Sequence, residues 1–140
     1  MSSIIFDNNT SYNVDISLVN KITNKLTNQN IELLLTTNKQ IQEINFNTRG
    51  IDKPTDVLSF PYEKMFNVPL GSIVISVDFV LDNSKFYKHS FEDEFTLLFI
   101  HGILHLLGYD HEIDNGEHRK MEESIIKEYN LPKSLIVRTI

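Results

Sequence analysis

Cysteine is absent from the sequence. That excludes a disulfide framework and leaves histidine, aspartate and glutamate to hold any metal. Long hydrophobic runs are missing too. The most apolar stretch, FTLLFIHGILHLLGY, falls short of the roughly 20 residues that a membrane span needs and carries two histidines. The opening, MSSIIFDNNTSYN, has neither the basic start nor the apolar core of a signal peptide, so a cytoplasmic protein is expected. No internal repeat and no Pro/Gly/Ser-rich linker interrupts the 140 residues. A hydrophobic content of 41% with 23% charged residues is ordinary for one globular domain spanning residues 1–140.

A basic excess is the next absence. The formal net charge is −6, and it is uneven. Between residues 91 and 130, ten acids face only Arg119, Lys120 and Lys127. Residues 1–90 are nearly balanced, with nine acids and eight bases, and Lys133 and Arg138 make the last ten residues positive. A generic nucleic-acid footprint is therefore missing, and a phosphate substrate has to be met locally, from the N-terminal part.

Periodicity supplies the elements. Ile4 to Phe6 reads as a short strand. Asp15 is a fair N-cap for a helix to about Asn28, with Ile16, Val19, Ile22 and Leu26 on one stripe. IELLLTT reads as a buried strand, and Asn38 caps a short helix through Ile41, Ile44 and Asn45. The segment TRGIDKPTDVLSFP reads as a turn-rich loop feeding a strand at Val57–Phe60 that Pro61 stops. GSIVIS is another strand. Helices follow from Val77 to about Tyr87, from Phe91 to Leu107, and from Glu117 to Tyr129. Strands interleave with helices early and helices dominate late, so the expected fold is α+β, a small mixed sheet packed with several helices.

HGILHLLGYDH, residues 101–111, holds three of the five histidines. The helix from Phe91 to Leu107 is apolar nearly all round and belongs in the interior. His101 and His105 lie one turn apart and share a face. Gly108 offers a left-handed residue that ends the helix and lets His111 turn back toward them. Three imidazoles with an open fourth position are what catalytic zinc uses, and they place a metal at the end of the buried helix. The plainer alternative is two hydrogen-bonded core histidines and a loop histidine. Asp110 is either a support for a ligand or a loop carboxylate. His89 and His118 lie outside the constellation and are expected at the surface. The spacing matches the metzincin peptidase pattern H-E-x-x-H-x-x-G-x-x-H, except that Gly102 stands where the general-base Glu belongs. Peptide hydrolysis loses its main support.

With NFNTRGIDKPTDVLSFP, that block resembles the YbeY family of metal-dependent endoribonucleases; LGSIVIS and the acidic helix after MEE support the likeness more weakly. The resemblance covers roughly residues 41–129. It implies one zinc on His101, His105 and His111, and an arginine near the metal at Arg49. It also implies cleavage of single-stranded RNA, ribosomal RNA maturation and ribosome quality control, with ribosomal or assembly proteins as further partners and no DNA or membrane. Two positions depart from the family: Thr48 replaces an aromatic residue, and Ser72 replaces an aspartate.

The second block also makes chemical sense alone. Arg49 presents a planar, permanently charged fork suited to phosphate oxygens; the alternative is a surface ion pair to Asp52 or Asp56. Pro54, Thr55 and Asp56 read as turn formers. Ser59 reads as a strand serine bonded to a neighbour. Phe60, Tyr62 and Phe66 are candidates for stacking on unpaired bases, with core packing an equal explanation for Phe60. The expected activity is zinc-dependent cleavage of RNA phosphodiester bonds. A zinc peptidase and a non-enzymatic assembly factor with a structural metal are the rivals.

Overall fold

The computed structural model describes residues 3–63, 65 and 68–132. In chain order the elements are β1 (Ile4–Asn8), α1 (Ser17–Leu26), β2 (Ile31–Thr36), α2 (Asn38–Arg49), β3 (Val57–Pro61), β4 (Gly71–Ser76), α3 (Val77–Phe86), α4 (Phe91–Leu106) and α5 (Glu117–Tyr129). The strands form one sheet in the order β1-β2-β4-β3. β1, β2 and β4 run parallel, and β3 lies antiparallel to β4 on the edge. The fold is α+β with a mixed sheet, as the element pattern implied. Among the described residues no helix is long and apolar enough to cross a membrane.

Alternation within the strands decides which helix covers which face. Leu33, Leu35, Ile73 and Ile75 point to one side, where they bury against Phe95, Leu98, Phe99, Ile103 and Leu106 of α4. Each such side chain stabilises the fold by about 1.5–3 kcal/mol on full burial. Leu58 and Val74 point to the other side and pack under Ile41 of α2, with Phe60 beside them. Phe60 therefore serves the core. Phe66 lies outside the described residues.

Helix α4 approaches the sheet closely at Gly102. A β-carbon there would stand 3.1 Å from both Ile73 Cγ2 and Ser59 Oγ, tighter than ordinary van der Waals contact. The Ser59 hydroxyl donates to the Gly102 carbonyl at 3.3 Å, a further tie between β3 and the helix.

Three helix starts and ends differ from the expectation. Asp15 does not cap α1; Ile16 occupies that position, and Asp15 Oδ1 accepts from the Ser17 amide and hydroxyl in the turn before it. Thr37, not Asn38, caps α2, accepting from the Gln40 amide. Thr48 and Arg49 belong to the last turn of α2 and not to the loop, because Gly50 at φ +72° is the left-handed residue that closes the helix.

Candidate metal centre and its cleft

α4 carries His101 and His105 toward the same side, and the chain leaves the helix through Gly108 at φ +99°. That left-handed turn returns His111 to the pair, as glycine permits without the steric cost of a β-carbon. One ligand atom from each of the three rings lies within 4.8 Å of the others. His101 Nε2 and His105 Nε2 are 3.2 Å apart. Two ligands on a tetrahedral zinc with bonds of about 2.0–2.1 Å would stand about 3.3 Å apart, so the pair already has the spacing of neighbouring ligands. His111 Nδ1 is buried with no hydrogen-bond partner, a further sign of an imidazole waiting for something. The donor set, three imidazoles and no thiolate, suits a borderline metal with a position left open.

Behind the ligands stands an acid that the spacing of the histidines does not reveal. Glu122 on α5 is 1% exposed. Its Oε2 sits 2.6 Å from His101 Nδ1. The His101 Nδ1–H donates to this carboxylate, which directs the Nε2 lone pair at the metal position. Burial pushes the Glu122 carboxyl up, but its contacts with His101 and His118 outweigh this and hold it below the ordinary value. Asp110 does not fill this role. Its Oδ1 accepts from the Glu112 amide at 3.0 Å, which makes it a loop carboxylate.

His118 is the larger correction. It is 0% exposed, not at the surface, and its ring stacks on His101 at 4.8 Å between centroids. Its Nε2 lies 2.9 Å from Glu122 Oε2 but off the line of a hydrogen bond, and its Nδ1 has no partner. This fourth imidazole therefore sits beside Glu122 at the back of the site, leaving the cleft side of the three ligands open. His89 is also enclosed: its side chain is 9% exposed and its Nε2 is 2.7 Å from Oε1 of the fully buried Glu94 in the first turn of α4. A readable signal existed for His118. His118, Glu122 and Ile125 share one stripe of α5, and all three are buried.

The open side faces a cleft of about 380 Å³. Its walls bring together residues far apart in sequence: Arg49 from the end of α2, Asp56 and Ser59 from β3 and its approach, and the three histidines. Arg49 is exposed and, among the described residues, makes no ion pair with Asp52 or Asp56. Asp52 is occupied elsewhere, accepting from Gln42 Nε2 at 2.9 Å. The Asp56 carboxylate accepts from the Val57 amide at 2.8 Å and from the Thr55 hydroxyl at 3.3 Å. Burial raises its carboxyl above the ordinary value, against the opposing pull of the Val57 amide, the nearby His101 and Thr55. It is more than a turn former. Its sequence context, Pro-Thr-Asp ahead of a strand, matches a turn so well that only the folded chain reveals the cleft.

Burial and crowding by neighbouring His101 and His118 lower the pKa of His105 below the ordinary imidazole value. The ring of His105 thus favours the neutral form that a metal requires.

A family model described as Endoribonuclease YbeY matches residues 6–130. The chain is similar to the Endoribonuclease YbeY of Aliarcobacter butzleri, 57% identical over 137 residues that cover 96% of this chain and 98% of the relative. It is similar to that of Nautilia profundicola, 58% identical over 135 residues and covering 96% and 97%. A solution structure of a Thermotoga maritima protein superposes with a TM-score of 0.55 at 28% identity, covering 93% of this chain and 92% of that one.

Proposed function

Because the chain belongs to the YbeY family, matched over residues 6–130, we propose that it is a zinc-dependent endoribonuclease that cuts single-stranded RNA. One observation carries this reading: three converging imidazoles open onto a cleft that also holds Arg49. His101, His105 and His111 would hold one zinc per chain. Bound there, the ion supplies a Lewis acid for a phosphoryl oxygen and makes water more acidic.

The remaining roles belong to the chain itself. Glu122 fixes the ring of His101. Arg49 presents two donors to the phosphate and stabilises the charge that grows on its oxygens as the phosphodiester opens. Gly102 leaves the site without a peptidase's base, and a β-carbon there would already crowd Ile73 and Ser59 at 3.1 Å. The acidic surroundings offer few contacts to a long phosphate backbone, which favours a flexible single strand entering the cleft over a rigid duplex. Tyr62, 38% exposed beyond the end of β3, is available for stacking on a base. The family resemblance extends the proposal to ribosomal RNA maturation and ribosome quality control in the cytoplasm, by residues 1–140 as one domain, with ribosomal or assembly proteins as partners.

The test is metal analysis of purified protein together with cleavage assays on single-stranded RNA, duplex RNA, DNA and casein. One zinc per chain and cleavage confined to single-stranded RNA are expected, with both lost in a His101→Ala/His105→Ala variant. Metal-loaded protein that leaves single-stranded RNA intact would refute the proposal.

A further inference from the structure

Helix α4 has no acid where metallopeptidases keep their base; Gly102 stands there, close against Ile73 and Ser59. The cleft nevertheless needs a group to take the proton of the attacking oxygen. Three carboxylates line it: Asp56, Asp110 and Glu112. Asp110 is engaged in its own loop through the Glu112 amide, and Glu112 is an exposed side chain with no anchoring bond of its own among the described residues. Asp56 differs from both. Its backbone is pinned to the sheet, with the Asp56 carbonyl accepting from the Ser76 amide at 2.9 Å. Its carboxylate is oriented by Val57 and Thr55. It is largely enclosed, yet no cation pairs with it among the described residues. An oriented carboxylate without a counter-charge, on the wall of a cleft with three imidazoles and an arginine, is costly for stability alone and typical of a working acid or base.

We infer that Asp56 is the general base of this cleft, taking the proton from the oxygen that attacks the phosphorus. The inference rests on the RNA-cleaving reading above. The attacking oxygen is that of a water molecule or of the RNA's own 2′-hydroxyl. As its O–P bond forms, its proton passes to the Asp56 carboxylate and the P–O bond to the leaving hydroxyl breaks. The leaving oxygen takes a proton from solvent in the open cleft, and Asp56 returns its proton to solvent, so charge and protons balance. The missing peptidase glutamate is thus replaced from the opposite wall, by the strand that Gly102 allows to come close.

Asp56→Asn is the decisive variant, because the amide keeps the size of the side chain and an oxygen for the Val57 amide. Its single-turnover cleavage of single-stranded RNA is expected to fall about 10²–10⁴-fold. Metal stoichiometry, metal affinity by chelator competition, melting temperature and RNA binding are all expected to stay at wild-type values. In Asp56→Ala, added formate is expected to restore part of the cleavage rate, with chloride at equal ionic strength restoring none. Wild-type cleavage by Asp56→Asn overturns the inference and leaves the nuclease reading standing. Loss of metal or of folding in Asp56→Asn overturns it as well, by making Asp56 a structural residue. Metal-loaded wild-type protein that cuts no RNA overturns both.

Discussion

Removing Glu122 tests how far the metal centre depends on residues that never touch the metal. In Glu122→Ala the carboxylate 2.6 Å from His101 Nδ1 and 2.9 Å from His118 Nε2 disappears from a position that is 1% exposed. His101 loses the acceptor that sets its tautomer, and outer partners of this kind typically govern metal affinity by about 10–100-fold, or about 1.4–2.7 kcal/mol. The metal-free protein suffers separately. Leaving the buried His101 donor without a partner costs about 1–3 kcal/mol, and the truncation leaves a cavity that the packed α4–α5 contact does not refill. A total loss of about 3–5 kcal/mol is expected, a large part of the 5–15 kcal/mol typical of a folded domain. Glu122→Gln preserves the shape and one oxygen acceptor, so it should fall between the two in both respects. Competition with a chromogenic chelator measures the affinity, and thermal unfolding with and without metal separates it from stability. If Glu122→Ala binds metal as tightly as the wild type and melts at the same temperature, the role assigned to the carboxylate is wrong.

Arg49→Glu should reduce cleavage of single-stranded RNA by at least about 10²-fold while leaving metal content and melting temperature unchanged, since the side chain is exposed and makes no ion pair among the described residues; Arg49→Lys should lose less, keeping the charge without the fork. Wild-type cleavage rates in Arg49→Glu would place it outside the reaction. Gly102→Ala should cost about 0–2 kcal/mol by denaturant titration, because crowding against Ile73 and Ser59 of about 1–3 kcal/mol is partly offset by a helix-propensity gain of about 1 kcal/mol. Gly102→Glu should unfold or aggregate and gain no casein cleavage; a stable, proteolytic variant would contradict the packing account. The lowered pKa of His105 has a defined sign. The unfolded chain binds that proton more readily, so the neutral ring contributes stability above the ordinary value near 6.5 that fades as pH falls below it. Metal binding shifts the same way, so chelator competition should show affinity dropping below about pH 6.5; affinity constant down to pH 5 would exclude these histidines as ligands.

The convergence of His101, His105 and His111 was legible because their relation is local. One helical turn and one glycine turn determine where the rings go, and both can be counted in the sequence. Asp56 was hidden by the opposite circumstance. Its place in the cleft depends on β3 lying beside β4 and under α4, and neither the order β1-β2-β4-β3 nor the packing of α4 follows from local periodicity. His118 was misplaced for another reason: it lies outside the local constellation, and among Glu117, Arg119, Lys120 and Glu123 it reads as part of the polar face of an amphipathic helix. Its buried stripe, with His118 about two turns and Glu122 about one turn before Ile125, escapes notice when polar side chains are assumed to face water. The extension of α2 to Arg49 follows from recognising Gly50 as a left-handed terminator and not as part of a loop. That distinction matters because it mounts the arginine on a helix end, which holds a side chain more firmly than a loop does.

The cleft opens beside β3, which among the described residues is hydrogen-bonded to a strand, β4, on one side only. An unpaired strand margin is a template onto which a second chain can add, the first step toward aggregation. Covering it would block the same wall that has to remain accessible to a substrate. The protein resolves this conflict by brevity. The strand runs for five residues, with the charged Asp56 immediately before it and Pro61, which has no amide hydrogen to offer, at its far end. Accessibility to a small reacting segment is thereby separated from stickiness toward another polypeptide at the margin where the cleft opens.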